Sequence, residues 1–297
     1  MTDAPDWTLD AAPVAPFMSP RSAFAPGIGP LEPEAWLFPA ADFAGQMRLR
    51  DRLIAERPQE VLAVLPEGEA AAAELAEMVA EEVLARHGAA RLPGAIRRPD
   101  GVEVPLDLPP MTLAGRLAQE DFLIMDRPEG APEHVLTAGV LCFPAHWRLD
   151  EKIGKPLVRI HLPVPEYPGD LAARVQRFFD GVKVGRPLTR ANWHFAGAPE
   201  LWTPAHEAEK MVNFTRRLTA TGEAGWLRVE RQTVLRMPRT NAVVFGVRTL
   251  MTPLDALTPE HWRAVLDRIA EAPEHDRARK ASPALLARAR ATAGAEA

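Results

Sequence analysis

The chain has 297 residues, 47% hydrophobic and 25% charged, with a formal net charge of −5 at pH 7, which is the balance of a globular protein and excludes an intrinsically disordered chain. No apolar run approaches the roughly 20 residues of a membrane helix, and the N-terminus lacks the basic start and apolar block of a secretory signal, so we expect a cytoplasmic protein that binds no membrane. A single cysteine, Cys142, excludes an internal disulfide and any metal site built only from cysteines of one chain.

The first third of the chain predicts an extended arm followed by helices. Residues 1–35 are rich in proline and show no sustained period, so they are expected to lie over the domain as an arm. Helical spacing of apolar residues predicts helices over residues 42–56 and 69–87. Residues 88–110 contain so many prolines and glycines that they predict a loop. A short helix is expected over residues 112–119.

The middle of the chain predicts strands. Strand-like runs cover residues 122–125, 135–143, 157–161 and 191–196. Two longer runs over 226–237 and 242–250, joined by turn residues, predict a β-hairpin. Helices are expected over residues 168–179, 258–272 and 282–292. The order of helices first, strands next and helices last indicates an α+β fold with an antiparallel sheet. We divide the chain into the arm (1–35), a main domain (36–255) and C-terminal helices (256–297).

Charge is unevenly distributed along the chain. Residues 1–150 carry a net charge of −12, whereas residues 151–248 carry a net charge of +7. A basic segment in an acidic protein suggests a local anion site and not a nucleic-acid surface.

Residues 142–167 hold the densest set of reactive side chains. They include His161, which ends a strand-like run just before two prolines, where a side chain is held rigidly and can face a pocket. A histidine that only hydrogen-bonds a loop carbonyl is the alternative. Cys142 lies in an apolar run, and a buried cysteine that behaves as a small hydrophobe is the simpler reading.

The predicted hairpin contains a second candidate set. A period of two places Arg228, Glu230, Gln232 and Arg236 on one face. Arg231 falls on the other, mainly apolar face, where a charge needs a partner. A carboxylate-bearing ligand such as a porphyrin would provide one, and so would a protein carboxylate such as Glu166.

Four blocks of the chain resemble the haem-dependent oxidative N-demethylase family, formerly a domain of unknown function (DUF3445). They are residues 119–125, residues 142–167 with their Ile-His-Leu-Pro-Val-Pro core, residues 190–193, and residues 229–238 followed by 244–248. The resemblance spans roughly residues 25–255, and one departure from the family pattern is Phe43, where a tyrosine is expected.

The resemblance implies a PAS-like antiparallel sheet flanked by helices, with a b-type haem (heme b) in its pocket. It implies an enzyme that uses O2 to oxidise a small secondary amine, such as dimethylamine, to an imine that yields formaldehyde and the shorter amine. Electrons are expected from a partner reductase that carries FMN and a 2Fe-2S cluster. The alternative to release of formaldehyde is capture of the one-carbon unit by a folate-dependent subunit.

The resemblance also suggests roles for single residues. His161 is the expected axial iron ligand, with Cys142 as its rival. Arg190, Arg231 and Arg236 are expected to pair with the haem propionates or to dock the reductase. Glu230 is the expected counter-charge of an ammonium substrate, although it could equally pair with Arg228. Two other functions stay open: a PAS-like sensor of haem or another ligand without turnover, and a binding subunit that has lost haem.

Overall fold

A computed structural model describes residues 4–19, 27–161, 170–206, 225–272, 277 and 282–294. Within these residues the protein has the mixed α+β architecture that the sequence predicts, with one large antiparallel sheet and one small one. The predicted arm contributes two short 3-10 turns, and its Phe17 is fully buried.

The large sheet has seven strands and carries the predicted hairpin at its centre. The strands are β1 (Gly29–Pro30), β2 (Leu62–Val64), β6 (Asp121–Asp126), β7 (Val135–Val140), β8 (Leu188–Ala196), β9 (Trp226–Arg236) and β10 (Val243–Pro253). Their order across the sheet is β1-β8-β9-β10-β6-β7-β2, and every neighbouring pair is antiparallel.

The hairpin forms because both strands are rich in β-branched and other apolar residues and the segment between them consists of turn residues. β9 and β10 pair along their whole length, from Arg236 opposite Val243 to Trp226 opposite Pro253. Asn241 takes a left-handed φ of 62° in the turn, a conformation that asparagine tolerates better than most residues. The prediction of a hairpin is confirmed.

Helices lie between and after the strands of the large sheet within the described residues. They are α1 (Phe43–Glu56), α2 (Pro58–Val61), α3 (Glu69–Arg86), α4 (Pro110–Leu117), α5 (Leu157–His161), α6 (Asp170–Gly181), α7 (Pro259–Glu271) and α8 (Pro283–Ala293). The N-terminus of α7 is capped by the Thr258 hydroxyl, which accepts a hydrogen bond from the backbone N–H of His261.

Two local predictions are wrong. Residues 88–110 are not a plain loop but contain a three-stranded sheet of β3 (Ala90–Leu92), β4 (Ala95–Arg97) and β5 (Glu103–Pro105). Their glycines mark the turns between very short strands, since Gly94 and Gly101 have φ values of 73° and 85°. Residues 157–161 are helix α5 and not a strand: Pro156 precedes the helix and its carbonyl accepts the N–H of Ile160.

The two faces of the large sheet differ. One face packs on α1, α3 and α4 at one end, through Phe122 and Val244, and on α7 at the other, through Trp193 and Val229. The opposite face is covered at its β9–β10 turn end by α5 and α6, in a cluster of apolar side chains that includes Val234. The rest of this second face is polar and positions the candidate site.

Candidate functional site

Polar side chains from β8, β9 and β10 form rows across the second face of the sheet. Strand register sets residues directly opposite one another in the rows His194–Arg228–Met251, Asn192–Glu230–Thr249 and Arg190–Gln232–Val247. Side chains in such a row have Cβ atoms about 4.5–5.5 Å apart. We call these residues the polar face. The next row, Leu188–Val234–Phe245–Leu123, is apolar and adjoins the cluster beneath α5 and α6.

Glu230 lies at the centre of the polar face, and its contacts with the described residues are loose. Its Oε1 is 3.6 Å from Nε of Arg228, and its Oε2 accepts a long hydrogen bond of 3.4 Å from Nε2 of Gln232. The side chain is 13% exposed. A carboxylate with two distant partners keeps acceptor capacity for a ligand.

Two guanidinium groups flank this carboxylate. Nε of Arg190 donates to Oε1 of Gln232 at 2.5 Å, and Nη2 of Arg228 donates to the carbonyl oxygen of Phe143 at 2.7 Å. Burial lowers the pKa of both arginines, and the charge of Glu230 partly offsets it. Among the described residues the face therefore holds more positive than negative charge.

Thr249 adds an unsatisfied polar atom to the same face. It is fully buried in β10, opposite Glu230, and its hydroxyl has no hydrogen-bond partner among the described residues. Such a group usually has a partner in the working protein, either water or a ligand.

Arg231 lies on the other side of the sheet from Glu230. Its Nη2 donates to the carbonyl oxygen of Ala35 at 2.6 Å, and its guanidinium lies 5.1 Å from the ring centroid of Phe38. Arg231, the charged residue of a mainly apolar row, thus contacts a backbone carbonyl and an aromatic face. The structure does not bring it together with Arg190 and Glu230.

Arg236 lies at the far end of β9 and binds backbone. Its three nitrogens donate to the carbonyl oxygens of Val182, Asn241 and Phe179, which joins the end of α6 to the hairpin turn. It lines a surface cavity of about 590 Å³ together with His134 and other residues. Arg236 lies two rows beyond Gln232 along β9, so it is outside the polar face.

Cys142 lies just beyond β7 inside the core that α1, α3 and α4 share with the sheet. It is fully buried, and its backbone N–H donates to Oδ1 of Asp121 at 2.7 Å. Burial raises the pKa of the thiol to about 12. This environment favours the small-hydrophobe reading over an iron-binding thiolate.

At pH 8 we expect Cys142 to react with a thiol reagent at least about 100-fold more slowly than a free cysteine, because the thiolate is scarce and shielded. Full reaction is expected once the chain is unfolded in guanidinium. A colorimetric thiol assay with and without denaturant measures this. Rapid reaction of the folded protein would instead show an accessible thiolate and strengthen Cys142 as the rival ligand.

The expected ligand His161 is the last residue of α5, and its side chain lies outside the described residues, as do Glu166 and Tyr167. The helix itself packs through Leu157 and Ile160 on the apolar end of the second face. His194 is half-buried on the polar face.

Sequence reasoning also missed Asn192 and Thr249 as neighbours of Glu230, because their alignment depends on register between strands. The parts of the chain that the structure describes contain no cluster of three or more metal-binding His, Cys, Asp or Glu side chains. No helix in the same parts is long and apolar enough to span a bilayer.

Comparison with known families agrees with the resemblance carried by the four sequence blocks. The family model for haem-dependent oxidative N-demethylase, alpha subunit-like, matches residues 27–284. The match covers most of the chain and includes every strand of both sheets. The chain therefore belongs to the haem-dependent oxidative N-demethylase, alpha subunit-like family.

Proposed function

We propose that this protein is a haem-binding catalytic subunit that oxidatively removes a methyl group from a small secondary amine such as dimethylamine. Family membership supports haem dependence and N-demethylation. The observation that carries the substrate assignment is the loosely held carboxylate of Glu230 at the centre of the polar face. An ammonium ion is the natural counterpart of such a group.

The second face offers groups that support the proposed binding of a haem there. Leu123, Leu188 and Phe245 offer half-buried apolar surface to a flat macrocycle. Arg190 lies in the adjoining row, with its guanidinium 6.0 Å from the Phe245 ring centroid, and suits a carboxylate arm. A helix-flanked antiparallel sheet with a ligand against one face is the PAS-like arrangement that we propose. The single cysteine favours a b-type haem, since c-type attachment uses two.

Haem bound at this face would supply the iron that activates dioxygen. The residues of the chain hold the amine: Glu230 accepts an N–H and balances the positive charge, while Val247 provides apolar surface for the methyl groups. His161 is the proposed iron ligand, on the strength of the family resemblance, and His194 is the alternative on the polar face.

The electron balance requires a partner. Dioxygen accepts two electrons from the amine, which becomes the imine, and two from a reductase, and with four protons it forms two molecules of water. Hydrolysis of the imine consumes one water and gives formaldehyde and the shorter amine. We propose a reductase with FMN and a 2Fe-2S cluster as the electron donor, within the multi-subunit assembly that the words "alpha subunit" in the family description suggest. A folate-dependent subunit is the proposed acceptor of the one-carbon unit.

Purification from haem-replete cells tests the proposal. We expect a Soret band and, with a chemical reductant, oxygen and dimethylamine, the release of formaldehyde. Replacing His161 with Ala should alter the iron's ligand-field spectrum, whereas His261→Ala, at the cap of α7, should not. Absence of a Soret band contradicts haem binding. A Soret band without formaldehyde from any small secondary amine favours a sensor.

A further inference from the structure

We propose that Gln232 is a positioning residue, which orients the carboxylate of Glu230 toward the amine and connects it to Arg190. This inference rests on the proposed function, since it concerns the same substrate-binding group. It assigns a role to a residue whose own side chain carries no charge and has no chemistry to perform.

The orientation of the Gln232 amide follows from its neighbours. Nε of Arg190 donates to one end of the amide at 2.5 Å, and an arginine has donors only. That end must therefore be the carbonyl oxygen Oε1. The other end is the amide nitrogen Nε2, which is left facing Oε2 of Glu230 at 3.4 Å.

The amide has little freedom to turn away. Gln232 is 6% exposed and belongs to β9, which has partner strands on both sides. Its own backbone carbonyl also accepts the hydroxyl of Thr189 at 3.0 Å. A short bond to the half-buried guanidinium of Arg190 on one side thus fixes a donor on the other side, and the donor is aimed at the carboxylate.

The charges around Glu230 explain why a neutral amide is needed here. Arg190 and His194 face it from β8 and Arg228 from β9, while Asp121 of β6 is neutralised by Arg50 at 2.7 Å. A glutamate at position 232 would pair well with Arg190, but it would place a second negative charge beside Glu230. The amide links the two charged groups without adding a charge of its own.

Two substitutions at Gln232 separate positioning from simple packing. In Gln232→Glu, a second carboxylate lies beside Glu230, and two adjacent carboxylates share a proton at higher pH than a single one does. Amine binding needs the pair ionised, so the acidic limb of the pH profile of kcat/KM moves up by about one unit or more, and near pH 9 the value recovers. Gln232→Met removes the hydrogen bonds without adding charge, so KM rises about tenfold at every pH and the limb stays in place.

The experiment uses the haem-loaded protein and measures kcat and KM for dimethylamine from pH 5 to pH 9. Calorimetric binding of dimethylammonium gives a second readout. Gln59→Glu, the same substitution on the exposed face of α2, is the control and should match the unsubstituted protein. Soret bands and urea midpoints check that each variant is folded.

The inference is supported if the acidic limb of the kcat/KM profile moves in Gln232→Glu, while in Gln232→Met the limb stays in place and KM rises. It is overturned if the limb of Gln232→Glu does not move, or if both variants bind dimethylammonium as the unsubstituted protein does. Failure of the unsubstituted protein to bind or oxidise any small amine would instead contradict the proposed function itself.

Discussion

Replacing Asp121 with Ala is expected to lower the free energy of unfolding by about 3–5 kcal/mol. Asp121 accepts Nη1 of Arg50 at 2.7 Å and the backbone N–H groups of Cys142 and Phe143 at 2.7 and 2.8 Å. The guanidinium of Arg50 is fully buried. Without the carboxylate, the hydrogen-bond partners that Arg50 keeps among the described residues are carbonyl oxygens, and two buried N–H groups lose their acceptor.

Urea unfolding followed by circular dichroism measures this loss. Asp180→Ala is the matched control, because Asp180 pairs with Arg127 at the surface at a similar distance of 2.9 Å. A surface pair contributes about 0–1 kcal/mol. The double variant Arg50→Met with Asp121→Ala should cost less than the two single changes added together, since no buried charge is then left alone. An additive result would mean that the two side chains do not stabilise each other.

The parts of the fold that the sequence predicts are those in which periodicity and packing agree. α1 and the hairpin of β9 and β10 have apolar residues at the spacing of one face, so a local pattern was enough. β3 to β5 were missed because strands of three residues are too short to show alternation. The sequence predicts a strand where α5 lies because five residues fit both the helical and the strand period.

The candidate site was predictable only within one strand. Alternation along β9 correctly placed Glu230 and Gln232 on one face and Arg231 on the other. It did not reveal that Arg190 shares the face of Glu230 or that Thr249 stands opposite Glu230, because both depend on how three strands align. Charge alone grouped Arg231 with Arg190, although the two side chains lie on opposite faces of the sheet.

Replacing Glu230 with Gln is expected to lower kcat/KM for dimethylamine by about 100-fold, mostly through a higher KM, because the neutral amide no longer balances an ammonium ion. Steady-state formaldehyde release from the haem-loaded protein measures this. Glu103→Gln, an exposed carboxylate that pairs with Arg97 on the small sheet, is the control and should be unchanged. Binding of carbon monoxide, a neutral haem ligand, should not differ among the three proteins.

The two readings of Glu230 give opposite patterns in this variant. If its carboxylate serves only Arg228, Glu230→Gln lowers the free energy of unfolding and leaves KM unchanged. If it binds the amine, KM rises while stability changes little, because Arg228 is also held by the carbonyl oxygens of Phe143 and Glu200, at 2.7 and 3.4 Å. The 3.6 Å separation between Glu230 and Arg228 favours the second pattern, since a carboxylate that existed to hold this arginine would form a closer, bidentate pair.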